Sequence, residues 1–555
     1  MVVEKKMTEI CIQRLIKLSI FLYLLTYVLI ALNSVLINDD YMALYTMWLL
    51  HDGKEAYVDF NVDSYTLLFD MLAPMYGLIG ERIEIVYAYR SIFIVLLCVV
   101  ATQLYLLVRL FFTNRIAVIT LLLVFTTTAM LMRGLDLRPD LLILVLWLQV
   151  IVILYISQFK APLKMLLVGF LFACALLFKF KALLIGVVIG IYALHGFRKP
   201  NFSKKITIDL LAFLLGSSLC MFIFYFLVGN ATFSLFLDTT KNLLFYSVSH
   251  SSESVSLRLR TIGLYFLQDV AFWVLVISGF FIAFNQRESL KYKQKSCLFS
   301  LFSLLSLSIL ANPHYHAYNL VTLYPLLAVF LAFSINWFAS DRKLHRAVKI
   351  RLLTIIISIM IVKGGVVHYY RDNQHQLALN QFIQNNTQSQ DAVFAYEGIG
   401  LFRPSTYHWR TSAINIRNYW EGRYNVWQEI LSVKPLLIIE SYRVPSWLLE
   451  ADRRSIYEHY VEIAPYVLTL GFSNDFSSDG SILRTGLYQM ISSEGQTCFL
   501  NKKLYASGEK FLLQAGQYSL ATNHGYCTVQ WYYPKGTLEE LKQSNSSGRP
   551  YLYSP

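Results

Sequence analysis

Two adjacent carboxylates, Asp39 and Asp40, follow directly on an apolar run that ends near Ile37, and they open the most informative stretch of the chain. Adjacent acids repel one another, and at a membrane edge both lose water. One of the pair is therefore expected to hold its proton more tightly than usual and to suit proton abstraction from a hydroxyl. The competing reading is an N-cap for the amphipathic helix that follows, Met42 to Leu50. The stretch continues through Gly53 to Tyr57, Asp59 and Phe60. Further along, basic and aromatic residues gather at the ends of apolar runs. Arg90 lies inside one run, Arg133, Asp136, Arg138 and Asp140 surround the start of another, Lys179 and Lys181 flank Phe180, and His314, His316 and Tyr318 precede a later one. Each has a plain alternative: the lysines can snorkel, the histidines can be ordinary interface residues, and Asp140 can cap its helix. Taken together, carboxylates with Lys, Arg and His at one surface suit a reaction on a lipid-borne phosphate. The acid would serve an acceptor hydroxyl and the cations a phosphate leaving group.

The elements that must position these groups are set by composition. Of 555 residues, 56% are hydrophobic and 15% charged, and the mean hydropathy of +0.48 lies outside the soluble range. The first apolar run, Leu15 to Ile37, follows Lys5, Lys6, Arg14 and Lys17. It is too long for a secretory h-region and reads as an uncleaved anchor. Further runs lie near 85–112, 116–132, 139–156, 163–178, 182–195, 208–228, 261–284, 297–311, 318–338 and 352–366, for a total of about 11 candidate spans. A charge such as Arg90 costs roughly 2.5 to 3.5 kcal/mol at a bilayer centre, so it is expected to have a partner or a wet cavity. The net charge of +13 resides largely in short gaps between alternate runs. This is a topology signal and argues against a nucleic-acid face. It places the N-terminus in the cytoplasm and residues 367–555 outside it, in a multi-pass protein of the inner (plasma) membrane.

Residues 1–366 therefore read as a transmembrane core, interrupted at 38–82 by a first extracytoplasmic loop. Beyond it, strand-length runs such as Asp391–Tyr396 and Pro435–Glu440 alternate with helix-like stretches such as Ser446–Ile463, which predicts an α/β domain over 367–485. From 486 to 555, glycine turns between apolar strands predict a small β-rich subdomain. Cys498 and Cys527 fall there, in an oxidising compartment, and either pair in a disulfide or remain two thiols. No CxxC or Cys/His metal spacing occurs. The clusters Tyr407–Arg410 and Asn418–Glu421 suit either sugar stacking or domain packing.

The order of span, Asp39-Asp40, amphipathic helix, Gly53 to Tyr57 to Asp59-Phe60 and a second span bearing Arg90 resembles the GT-C superfamily of polyprenyl-phosphate-sugar glycosyltransferases. That superfamily includes protein O-mannosyltransferases and the aminoarabinose transferases that modify lipid A. Leu137-Arg138-Pro139-Asp140, the Lys179 region and His314 to Tyr318 leading to Leu323-Tyr324-Pro325 look like later landmarks of the same superfamily. The chain departs from it at Asp40, where Glu is commoner, and at Ala56, where a proline is usual before Tyr57.

The resemblance implies a mainly helical GT-C-type core with an extracytoplasmic C-terminal domain, and inverting transfer from a polyprenyl-phosphate-linked sugar. The acceptor would be a hydroxyl or phosphate of lipid A, an envelope glycan or a protein. Asp39 would be the general base, with Asp40 supporting it or exchanging that role. Tyr57, Asp59, Arg90, Arg138, Asp140, Lys179, Lys181, His314, His316 and Tyr318 are the substrate-binding candidates. Some relatives use a divalent metal, but the loop carboxylates define no metal cage and no other cofactor is implied. The rival readings are a flippase of lipid-linked sugars, which predicts charges at mid-span and two similar halves, an oligosaccharide ligase or polymerase using lipid diphosphates, and an envelope scaffold.

Overall fold

The structure is a computed structural model of the chain. It describes residues 2–56, 59–60, 67–194, 202–249, 255–310 and 317–340, short pieces at 354–355, 358–359 and 362–366, and then 373–395, 398–405, 418–440, 447–493, 497–523 and 525–544. Tyr57, His314, His316 and the Tyr407–Arg410 cluster lie outside the described residues, as do parts of the run near 352–366. The chain is mostly helical with a β-rich C-terminal region and divides into two units.

The first unit comprises Met1–Ser34, Ser64–Met71 and Tyr87–Arg371. Its helices are α1 (Val2–Asn33), α3 (Leu67–Leu72), α5 (Ile85–Arg109), α6 (Asn114–Phe125), α7 (Thr128–Arg133), α8 (Pro139–Tyr155), α9 (Ala161–Phe178), α10 (Gly186–Leu194), α11 (Phe202–Ser249), α12 (Val255–Gln268), α13 (Val270–Asn285), α14 (Tyr292–Leu310), α15 (Ala317–Leu326) and α16 (Ala328–Ser340), while α2 (Asn38–His51) and α4 (Met75–Ile79) belong to the other unit. Among the described residues three helices are long and apolar enough to cross a membrane: Ile85–Arg109, Ala161–Phe178 and Ser203–Gly229. A fourth is reached if the bent pair α15 and α16 is one span. The chain is an integral membrane protein. Only 17% of the apolar window in Ser203–Gly229 is buried within the chain, as a lipid-facing helix requires.

Several runs that hydropathy reads as continuous are broken by polar residues or proline. The 116–132 run is interrupted at Thr126-Thr127, between α6 and α7, and the 261–284 run at Asp269, between α12 and α13. Pro325 lies in the last turn of α15, and α16 continues at a 48° angle, because proline removes a donor and crowds the preceding turn. Elsewhere the helices approach closely through glycine. A Cβ on Gly169 in α9 would lie 2.0 Å from the Phe213 carbonyl oxygen of α11, and one on Gly216 would lie 2.0 Å from that of Leu166. Small residues thus set the distance at which α9 is held.

The second unit comprises Val35–Asp63, Leu72–Val86 and Asp372–Pro555, so most of the first loop clusters with the C-terminal region. It holds α2 (Asn38–His51), α4 (Met75–Ile79), α17 (Gln374–Asn386), α18 (Val426–Val433), α19 (Glu450–His459) and α20 (Lys535–Ser544). Its strands are β1 (Val393–Ala395), β2 (Leu437–Ile439), β3 (Tyr460–Ala464), β4 (Val467–Ser473), β5 (Asp479–Ile482), β6 (Gly486–Ser492), β7 (Cys498–Leu500), β8 (Lys503–Tyr505), β9 (Lys510–Leu513), β10 (Gly516–Thr522) and β11 (Cys527–Trp531). A seven-stranded sheet runs β1-β2-β4-β11-β6-β9 with β3 also on β4, and a four-stranded sheet runs β5-β10-β7-β8. Among the strands of the described residues, β1 and β2 pair in parallel and the other pairs are antiparallel. Strands from both 367–485 and 486–555 therefore share the larger sheet. The stretch read as helical to Ile463 leaves the helix at His459, and β3 begins at Tyr460. Its β-branched Val461, opposite Thr469 of β4, suits a strand better than a helix. Cys498 and Cys527 are joined in a disulfide, linking the last strand of the larger sheet to the smaller one.

Candidate active site

In the first unit the site is built around one carboxylate. Arg138 is the N-cap residue of α8, Pro139 starts the helix and Asp140 lies in its first turn. Proline tolerates that position because its missing N–H would be unpaired in any case, and the helix N-terminus favours an acid there. Asp140 is 2% exposed. Arg138 Nε donates to its Oδ2 at 3.1 Å, Lys181 Nζ donates to Oδ1, and Lys179 Nζ lies 3.8 Å from Oδ2.

The lysines arrive from the break after α9. Lys179 ends that helix in an extended conformation, and a 3-10 turn over Phe180–Ile185 follows. Two residues of one sequence turn thereby reach the same acid. Trp147 Nε1 of α8 donates to the Ala182 carbonyl at 3.3 Å, tying the two elements together. Tyr318, in the first turn of α15, lies with its ring 3.6 Å from the Arg138 guanidinium carbon and 5.4 Å from Lys179 Nζ. Its neighbour Asn319 accepts from Lys181 at 3.4 Å.

One acid among three cations leaves the cluster with a formal charge of +2 when all are ionised, which suits a phosphate monoester. Lys179 lies in the link between helices, where burial pulls its ammonium down to about 7, the negative Asp140 opposes that, and Arg138 and Lys181 add to it. Thus Arg138, Asp140, Lys179, Lys181 and Tyr318 are brought together, although they come from three places in the sequence. Asn319 joins them, and its only signal was adjacency to Tyr318.

Arg90 bonds to the end of α1. It is 2% exposed, and its Nη1 donates to the carbonyls of Ala31 at 3.0 Å and Ser34 at 2.7 Å. This gives the expected partner: the carbonyl end of α1, where a cation is favoured. Sequence reading missed a second buried charge. Asp269, whose side chain is 1% exposed, pairs with Lys363 and accepts from Thr128 N at 3.1 and 3.0 Å and from Thr128 Oγ1 at 3.0 Å. It ties together the starts of α7 and α13. The single charged residue inside the 261–284 run was the available signal.

In the second unit the acidic pair divides. Asp40 is fully buried, and its Oδ2 accepts the Ile37 N–H at 3.1 Å, so the helix-capping reading describes Asp40. Asp39, in the same first turn of α2, is half-buried. The N-terminus of α2 favours negative charge on both. Asn38 beside them is 4% exposed, and neither polar atom of its amide has a partner among the described residues. Asp59 is exposed and closes a local turn, accepting the Glu55 N–H at 2.8 Å.

The rest of α2 is held within the unit by aromatic residues. Tyr45 donates to the Arg403 carbonyl at 3.2 Å and packs where Gly398, at φ +73°, leaves room; a Cβ there would lie 2.6 Å from that of Tyr45. Trp48 Nε1 donates to Glu81 at 2.7 Å, Tyr76 donates to the Leu44 carbonyl at 2.9 Å, and both rings meet Phe402 edge-on. Tyr419, by contrast, is buried and donates to Asp452 at 2.6 Å, which is packing.

Among the described residues no group of three or more His, Cys, Asp or Glu could hold a metal ion. Three cations around Asp140 would also repel one, so these residues do not fit a divalent metal.

No protein-family model matches the chain, and no curated protein does. Solved structures do. ArnT from Cupriavidus metallidurans bound to undecaprenyl phosphate aligns with TM-score 0.55 and 12% identity, over 77% of this chain and 93% of ArnT. The apo state of ArnT aligns with TM-score 0.53 and 11% identity, over 78% and 94%. The apo oligosaccharyltransferase of Archaeoglobus fulgidus aligns with TM-score 0.48 and 11% identity, over 90% of this chain and 74% of that one. At these identities the likeness is one of fold, and this chain has the GT-C-type fold seen in ArnT.

Proposed function

We propose that this protein is a membrane glycosyltransferase that moves a sugar from a polyprenyl-phosphate carrier to an acceptor hydroxyl or phosphate of lipid A, an envelope glycan or a protein. The observation that carries the reading is the Asp140 cluster. Three cations drawn together on one buried acid, roofed by an aromatic ring, make a preorganised site for a phosphate. The fold shared with ArnT, in a structure bound to undecaprenyl phosphate, supports it.

In this reading Arg138, Lys179 and Lys181 hold the donor phosphate, and Asp140 keeps them converged. For a hydroxyl acceptor, Asp39 takes the proton. The acceptor oxygen forms a bond to the anomeric carbon on the face opposite the phosphate, the bond from carbon to phosphate oxygen breaks with its electron pair going to the phosphate, and polyprenyl phosphate leaves. The configuration at that carbon inverts.

The orientation follows from the charge bias of the gaps, with the N-terminus cytoplasmic and the second unit outside. A disulfide in that unit accords with an oxidising compartment. The finer count of about 11 spans belongs to the same proposal.

The test is transfer by purified protein from polyprenyl-phosphate and polyprenyl-diphosphate sugars to a panel of glycolipid, glycan and peptide acceptors, with Asp39→Asn and Lys181→Met alongside wild type. Transfer from the monophosphate, lost in Asp39→Asn and weakened for donor in Lys181→Met, supports the reading. Use of the diphosphate alone would identify a ligase or polymerase, and lipid translocation without transfer a flippase.

A further inference from the structure

Gln376 is buried in α17, at 2% exposure, and both polar atoms of its side chain bond to the backbone of one residue of a distant segment. Leu36 N–H donates to Gln376 Oε1 at 2.7 Å, and Gln376 Nε2 donates to the Leu36 carbonyl at 2.8 Å. A primary amide used in this way does what a neighbouring strand would do: it satisfies the donor and the acceptor of one extended residue together. Leu36 is wholly buried, so without the amide both groups would be stranded away from water.

The consequence lies three residues further along, at Asp39. Ile37 N–H is held by the Asp40 carboxylate, and the Ile37 carbonyl accepts from the backbone N–H groups of Asp40 and Tyr41 at 3.0 and 3.2 Å. One turn after Gln376, Asn380 Nδ2 donates to the Tyr41 hydroxyl at 3.3 Å. Helix α17 thus grips the backbone before Asp39 and the side chain after it, and neither grip uses the Asp39 carboxylate. A methionine would fill the same space with no polar group to satisfy, so space-filling alone does not call for glutamine. Asparagine is one methylene shorter than this reach.

We infer that Gln376 is a positioning residue for Asp39, fixing through Leu36 the backbone that aims the base. This rests on the reading of Asp39 as the general base. The inferred role is specific to the rate of the chemical step, because the proposed donor-phosphate contacts come from other residues.

The experiment measures kcat and donor KM in the full-length protein for Gln376→Met, for Gln376→Glu, which keeps the length and the acceptor atom, and for Gln376→Met combined with Asp39→Asn. Thermal unfolding of each variant reports folding. The expected result is a kcat lowered by roughly 10- to 100-fold in Gln376→Met with donor KM unchanged, since small misplacements of a reacting group have effects of that size. Gln376→Glu should fall less. Adding Gln376→Met to Asp39→Asn should cause no further loss, because the positioned group is already gone. Two results overturn the inference: a folded Gln376→Met or Gln376→Glu with normal kcat, or a full additional loss in the double variant. Full activity of Asp39→Asn would instead remove the base reading, and with it the group that Gln376 is inferred to position.

Discussion

Asp40 Oδ2 accepts the Ile37 backbone N–H at 3.1 Å, and this bond ties one of two adjacent carboxylates to the backbone that starts α2. Asp40 is engaged at the start of α2, whereas Asp39 retains exposure. Asp39→Asn should lower kcat by about 100-fold or more, the range of a lost general base. Asp40→Asn should lower kcat by less than about 10-fold and stability by about 1 kcal/mol, the scale of a lost cap. Transfer assays and thermal unfolding of both variants check the contrast, and equal losses of kcat would contradict it.

Asp140 should be the least replaceable member of its cluster. With Asp140→Asn, Arg138 and Lys181 lose the charge that draws them together, at a cost of about 3 kcal/mol for a buried pair broken on one side. The variant should show reduced yield and a lowered melting temperature in detergent. Lys181→Met removes a partly exposed cation and should mainly raise donor KM. Titration of each variant with polyprenyl phosphate, followed by unfolding temperature, separates the two effects.

Lys179 predicts a pH dependence of donor binding. Burial places its ammonium at about 7, so it is cationic below that pH and neutral above it. A phosphate needs the cation. Donor KM should therefore rise as pH rises through about 7, and Lys179→Arg, which stays charged, should flatten that rise. A donor KM equally pH-dependent in Lys179→Arg would place the titration on another group.

Arg403 should be a stability determinant of the second unit. Its guanidinium is buried and donates to Thr387 Oγ1 at 2.7 Å and to the carbonyls of Phe402, Gln384 and Thr387 at 2.7, 3.1 and 2.9 Å. The last two close the carbonyl end of α17, where a cation is favoured. Arg403→Met strands those acceptors and should cost about 3 kcal/mol. Arg403→Lys should recover only part, because a single ammonium cannot reproduce the fork. Denaturation monitored by near-ultraviolet circular dichroism is the measurement.

The Cys498–Cys527 bond closes a sequence separation of 29 residues. In the chain-entropy account a loop of this size contributes about 3 to 4 kcal/mol. Reduction, or Cys498→Ala with Cys527→Ala, should lower the unfolding temperature of the C-terminal region. Thiol labelling of the folded protein before and after reductant tests the pairing directly.

Much of this protein was legible in the sequence because it follows from local chemistry. Apolar runs identify a membrane protein, because lipid admits only segments that satisfy their own backbone. Pro139 before Asp140 marks a helix start, and Asp39-Asp40 after a long run marks a candidate site. The breaks at Thr126, Asp269 and Pro325 were less legible, since a hydropathy average smooths over single residues. What only the tertiary structure decided is which groups meet. Lys179 and Lys181 could equally have snorkelled, and only the extended backbone after α9 directs both to Asp140. Arg90 carried a charge with no stated partner until α1 presented its last carbonyls. Asp39 and Asp40 are chemically identical in the sequence, and burial differs between them in the fold. Sequence supplies the donors and acceptors, but their pairing depends on distances between segments far apart in the chain. Gln376 and Leu36, more than three hundred residues apart, are such a pair.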